Sequence, residues 1–254
     1  MSELEARRSY ECRLTSDRAL ATLDEAADWV CERGLVTGPP SGSLPSLHVA
    51  CHEEPYAPDK PGFGQWPKTK FWWGGALAER PDLRWLKIHR GKSVLVSDAV
   101  AALVQPLASE ELARAEGGAF GEDARRLARH LVEAGPSFVD DLKDELGLGT
   151  KSLRAARERL ERVAAVVARQ VVVEASTGGH RHTTELARWD QCFRDPARGP
   201  SGAGELLVAG VRAAVLVPEH EALRWFSWPV ARDDVDRLVE ARRLVRLDGV
   251  LHTG

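Results

Sequence analysis

FGEDARRLARHLVEAGPSFVDDLKDELGLGTKSLRAARERLERVAAVVARQVVVEASTGGHRHTTELARW, residues 120–189, is the stretch that decides the fold. Phe120, Ala124, Leu127, Ala128 and Leu131 recur three or four apart, one apolar stripe on a helix, and Gly135-Pro136 stops it. Ser137 with Asp140 reads as a Ser-x-x-Asp cap for a short second helix carrying Phe138, Leu142 and Leu146. After the Gly147–Gly149 turn, Thr150 reads as the cap of a third helix that faces Leu153, Ala156, Leu160 and Val163 inward. Val166-Val167 and Val171–Val173 form a β-branched run, and Thr177-Gly178-Gly179 turns it into a second strand from His180 to Leu186. Helix, short helix, helix, hairpin is the order of a winged helix-turn-helix.

The third helix is basic in an acidic chain. Its outward face carries Lys151, Arg154, Ala155, Glu158, Glu161 and Arg162, with Arg157 and Arg159 on the flanks. From Thr150 to Gln170 there are six basic residues against Glu158 and Glu161, while the whole chain has a net charge of −3. In this module the third helix can enter a DNA major groove while the hairpin, with His180, Arg181 and His182, reaches the flanking backbone. The expectation is nucleic-acid contact through Lys151, Arg154, Arg157, Arg162, His180, Arg181 and His182. The alternative is an ordinary solvated helix on a protein-interaction module.

Working outward, a chain of 254 residues with 43% hydrophobic and 29% charged side chains is an ordinary globular composition with room for two or three small domains. A pI near 6.3 means that affinity for a polyanion must come from a local patch rather than from the field of the whole molecule. No run is long enough to span a membrane and the N-terminus lacks an apolar signal core, so a cytoplasmic protein without a membrane partner is expected. Cys12, Cys31, Cys51 and Cys192 are scattered and suit reduced thiols.

The expected organisation is α+β, mainly helical, with tandem winged-helix units behind an N-terminal α/β segment that contains a β-hairpin. Residues 1–117 form that N-terminal domain, 118–193 the winged helix, 194–204 a linker and 205–254 a second winged-helix-like module. Residues 1–20 read as a polar lead-in or arm, and Thr22 with Glu25 as a capping box for a helix closed by Gly34. His48, Cys51 and His52 share a face of a short helix before Pro55, a spacing zinc could use with Cys31 as a fourth ligand. With no second ligand cluster, the expectation is no metal and no cofactor. Residues 56–70 are rich in Pro and Gly and read as a loop or lid, and Trp66, Trp72, Trp73 and Trp85 are four of the eight tryptophans, core or stacking surface. His89-Arg90-Gly91-Lys92 is the tip of a β-hairpin, which adds Arg90 and Lys92 to the expected nucleic-acid contacts. Asp98–Leu103 starts a helix that Pro106 breaks, with another over Ser109–Glu116. Beyond the linker the same order recurs: an apolar helix over Glu205–Val217, a short helix over Glu219–Phe226, a third opened by Ser227-Trp228-Pro229, and a hairpin turned by Asp248-Gly249. The charge balance of that third helix suits a packing or dimer module.

Lys87, Arg90, Gly91, Lys92, Val94, Val96 and Ser97 behind a Trp-rich segment, with Leu44-Pro45-Ser46-Leu47 upstream and a Trp-Pro element downstream, resemble the bacterial AlkZ-related proteins. The resemblance runs from about Thr22 to the C-terminus. It implies remote kinship with tandem winged-helix DNA glycosylases that unhook crosslinked or alkylated bases. Those enzymes position water with a Gln-x-Gln or Gln-x-Asp pair, and none of Gln65, Gln105, Gln170 and Gln191 is followed two residues later by Gln or Asp. Gly74-Gly75 also stands where the relatives tend to carry Lys-Asp. The resemblance therefore carries over the fold and a DNA-directed, repair-related role without glycosylase chemistry, and catalytic residues stay unassigned. Two alternatives remain: a glycosylase-like repair enzyme with a divergent acid or base such as Asp59 or Glu79, and a non-catalytic scaffold.

Overall fold

The computed structural model describes residues 2–67, 72–174, 180–193 and 202–254. The chain opens with helix α1 (Ser2–Glu11) and a single 3-10 turn at Ser16–Arg18. Residues 2–20 are thus an ordered lead-in, the first of the two expected readings, lead-in or arm. Cys12 is buried and its thiol lies 3.5 Å from the Ala213 carbonyl near the C-terminus, while the Trp29 Nε1–H donates to the Glu11 carbonyl at 2.9 Å. Polar composition hid this docking, because ion pairs such as Arg33–Glu11 and Arg13–Glu25 and the single cysteine anchor it, with no apolar stripe.

Helix α2 (Leu23–Arg33) follows its sequence signals: the Thr22 hydroxyl accepts the Glu25 N–H at 3.1 Å, and Gly34 ends it at φ +78°. Strand β1 (Leu35–Thr37), the four-residue helix α3 (Leu47–Ala50), helix α4 (Trp73–Ala78) and strands β2 (Leu83–His89) and β3 (Lys92–Ser97) complete a first unit. Its antiparallel sheet has the order β1-β3-β2. Period-two alternation splits that sheet between two cores. Leu35, Leu86, Ile88, Val94 and Val96 join the large core, and Val36, Leu83 and Leu95 join a smaller one with Trp29, Val30 and Leu77.

Helix α5 (Asp98–Glu116) is continuous through Pro106, contrary to the expected break. Its buried Val104, Ala108 and Leu112 pack it into the large core, and that packing outweighs the hydrogen bond the proline removes. A second unit follows: helix α6 (Glu122–Ala134), strand β4 (Ser137–Phe138), helices α7 (Val139–Glu145) and α8 (Thr150–Arg162), and strands β5 (Val166–Glu174) and β6 (His180–Arg188). The short helix α9 (Trp189–Cys192) closes it. Both expected caps are corrected. Ser137 lies in β4 and its hydroxyl donates to the Gly135 carbonyl, and Gly149, not Thr150, precedes α8. The expected turn at Thr177–Gly179 and most of the 194–204 linker lie outside the described residues.

A third unit repeats the order with helix α10 (Ala203–Ala214), strand β7 (Leu216–Pro218), helices α11 (Glu219–Ala222) and α12 (Arg232–Glu240), and strands β8 (Val245–Leu247) and β9 (Val250–His252). Asp248 and Gly249 take φ +51° and +76°, the left-handed pair that a two-residue hairpin turn requires. The sheet orders β4-β6-β5 and β7-β9-β8 match β1-β3-β2 position for position. The fold is α+β, with small three-stranded antiparallel sheets set among helices. Helix, strand, helix, helix, hairpin thus occurs three times among the described residues, where two occurrences were expected. One apolar core runs through all three units, from Leu35 through Leu127 to Leu251.

Candidate nucleic-acid interface

The sequence places its cations on α8, and the structure sorts them into two ends. At the N-terminal end Lys151 is exposed with no partner among the described residues, and Arg154 keeps 78% of its side chain in solvent while its Nε–H donates to Glu158 at 2.7 Å. That bond holds the Glu158 carboxyl below the usual carboxylate range. An exposed pair four residues apart is screened by water and yields readily to a stronger anion.

The C-terminal half of α8 is different. Glu161, read as outward-facing, is only 2% exposed and accepts both Lys87 Nζ at 2.6 Å and Arg157 Nε at 3.0 Å. The wheel assumed an isolated helix, whereas β2 of the first unit lies against this face. Arg157 is therefore committed to a buried carboxylate and is 21% exposed, so it does not stand on an open face. Arg162 is exposed, and one of its guanidinium N–H groups donates to the Arg90 carbonyl at 3.2 Å. The hairpin tip also belongs to this end. The Arg90 Nε–H donates to the Arg224 carbonyl, and Lys92 Nζ lies 3.2 Å from the Ser41 hydroxyl.

On the second unit's hairpin, His180 and His182 are exposed without partners among the described residues, and Arg181 pairs with Asp140 at 3.0 Å. Asp140 also accepts the Thr183 hydroxyl at 3.0 Å, which fixes the hairpin to the start of α7. The strands continue beyond the two-residue strand β4, so the distal part of β5 and β6 projects as a two-stranded arm.

Between α7, the start of α8 and β2 lies a cavity of about 570 Å³, which sequence reading missed because its walls come from two units. It is lined by the basic Lys87, Lys143, Arg154 and Arg157 and by the acidic Asp140, Asp144, Glu158 and Glu161. The balance of four against four gives a polyanion no net attraction into it. Of its lining cations Arg154 keeps most of its side chain in solvent, and Lys151 stands outside the lining altogether.

Other expectations resolve plainly. His48 packs against Trp66 with tilted rings whose centroids are 4.9 Å apart, and burial pushes its pKa down to about 4. His52 instead points to the Arg13 carbonyl at 2.8 Å, so these two histidines do not converge on Cys51. No group of metal-binding side chains occurs among the described residues. Trp73 and Trp85 pack on the smaller core while Trp72 is 72% exposed. The glutamines are dispersed. Gln65 binds the Pro58 and Lys60 carbonyls, Gln170 the Thr184 hydroxyl, and Gln191 the Arg188 N–H. No helix among the described residues is long and apolar enough to cross a membrane.

No family model matches the chain, and neither a curated protein nor a solved structure is similar enough to count as a match.

Proposed function

We propose that the chain is a double-stranded DNA-binding protein built of three winged helix-turn-helix units, of which the central one carries the contact. The observation that carries this reading is the free, cationic N-terminal end of α8 beside a projecting hairpin. Helix-turn-helix proteins present the N-terminal residues of the third helix to the groove, and the covered C-terminal half of α8 leaves that end accessible. In this reading Lys151 and Arg154 neutralise phosphates, Arg154 exchanging Glu158 for the stronger anion, and His180, Arg181 and His182 lie over the neighbouring backbone. Arg157 holds the helix in place. Among the described residues the equivalent ends of the first and third units lack this surplus: α4 itself has no charged residue, and the first turn of α12 is acidic at Asp233 and Asp234.

Likeness to AlkZ-related proteins supports a repair-directed role for that binding, and the scattered glutamines favour recognition without glycosylase chemistry. The test is fluorescence anisotropy of a labelled duplex over a salt series. The expected result is salt-dependent binding that weakens in Lys151→Ala/Arg154→Ala, with the slope of log K against log salt shallower by about 0.9 for each phosphate that is no longer neutralised. Absence of binding at low salt, or a double variant indistinguishable from the parent, refutes it.

A further inference from the structure

Away from α8, the loop after β1 brings a serine, a histidine and a backbone carbonyl into line. His89 is 2% exposed, its Nδ1 is 2.7 Å from the Trp225 carbonyl oxygen and its Nε2 is 2.8 Å from the Ser41 hydroxyl. A carbonyl only accepts, so Nδ1 carries the ring proton and the neutral ring offers its Nε2 lone pair to the Ser41 O–H. Burial disfavours the imidazolium, and Arg90 and Lys92 add to that. The Trp225 carbonyl and Glu221 oppose it, and the net result is a histidine held below its usual range. The base is therefore neutral near pH 7, as general-base work requires.

Two hydrogen-bond donors neighbour the serine. Lys92 Nζ is 3.2 Å from Ser41 Oγ, and the N–H of Gly42, the residue after the serine, has no partner among the described residues. Gly42 sits at φ +62°, and a Cβ there would fall 2.1 Å from Glu221 Oε1, so a side chain here would strain the backbone and displace Glu221. Anchoring does not account for the Ser41 pair. Ser43 already fastens the loop to the third unit, its N–H and hydroxyl donating to Glu221 at 2.6 and 2.8 Å. Pro39, Pro40 and Gly42 are exposed, so the serine opens to solvent on its far side.

We propose that Ser41, His89 and the Trp225 carbonyl form a nucleophilic centre for acyl transfer from short-chain carboxylic esters. Ser41 Oγ bonds to the acyl carbon as its proton passes to His89 Nε2, and the carbonyl oxygen takes its negative charge between Gly42 N–H and Lys92. Collapse breaks the bond to the alcohol oxygen, which takes the proton from Nε2. Water then attacks the acyl-serine through the same base, releasing the carboxylic acid and restoring the hydroxyl.

The test is labelling of the full chain by an alkyl fluorophosphonate, read by intact mass and peptide mapping, with hydrolysis of p-nitrophenyl acetate in parallel. The expected result is one adduct, at Ser41, present in Ser43→Ala and absent in Ser41→Ala. His89→Gln should slow labelling and hydrolysis at least about a hundredfold, the lower end for loss of a general base. A folded protein left unlabelled at Ser41, or His89→Gln labelled at the parent rate, overturns the proposal. If His89→Gln loses its circular dichroism, Lys92→Met decides: several-fold slower labelling supports the centre, and an unchanged rate overturns it.

Discussion

The carboxylate of Glu161 is the group whose perturbation has the most calculable consequence. It is 2% exposed and has two cations, Lys87 from the first unit at 2.6 Å and Arg157 from its own helix at 3.0 Å. Either cation alone still answers the charge, and both are a fifth or more exposed, so Lys87→Ala or Arg157→Ala should each cost about 1 kcal/mol. Removing both strands a buried carboxylate, which costs about 3–5 kcal/mol. The double variant should therefore exceed the sum of the singles by about 1–3 kcal/mol, the range of direct coupling. Urea unfolding followed by tryptophan fluorescence measures all three changes from the transition midpoints. Combining Glu161→Leu with the two cation deletions should recover much of the loss, since the penalty belongs to the unpaired charge. A double variant no less stable than the sum of its singles would refute this account of how the first and second units are joined.

Gly210 lies where an added Cβ would approach the buried Trp225 ring at 2.9 and 3.0 Å and the Phe226 ring at 3.2 Å. Gly210→Ala gains about 1 kcal/mol of helix propensity but overpacks a fully buried indole, so thermal unfolding should show a net loss of about 1–2 kcal/mol. For His48, burial holds the folded pKa near 4 against 6.5 in the unfolded chain. Protonation then favours the unfolded state, and stability should fall from pH 6.5 towards about 4; His48→Phe should remove that part of the slope in pH-dependent denaturation. Burial would raise the Glu221 pKa, but the hydrogen bonds from Ser43 and Trp225, with Arg8 nearby, hold it below 4.5. Its contribution is present above that pH and lost as pH falls through the lower folded value, so Glu221→Gln should be less sensitive to acid than the parent, a difference absent if the carboxylate is free in solution.

Much of the second and third units was legible because their helices carry long apolar stripes and their hairpins carry β-branched runs or an Asp-Gly turn. The first unit hid the same order. Its second and third helices have four and six residues and are separated by a Pro/Gly-rich insertion, so no periodic stripe develops. Pro106 misled for the opposite reason, since local chemistry forbids what tertiary packing permits. The cations of α8 were found by a helical wheel, which could not register that β2 covers half of the helix. The cavity walls, the Lys87–Glu161 pair and the Ser41–His89–Trp225 alignment are made by bonds between residues 48 to 136 positions apart, and spacing along a chain holds no record of such meetings.

The docking of Cys12 against the Ala213 carbonyl, together with the His89–Trp225 bond, has a bearing on biosynthesis. Chain emerging first can close its smaller core alone, but the other face of its sheet stays bare until segments made last arrive to cover it. Vectorial, piecewise maturation is thereby left incomplete; the amino-terminal third must wait, one sheet face uncovered, for the ribosome to reach the other end. A truncation of the carboxy-terminal segment should then leave the opening helices exposed to proteolysis.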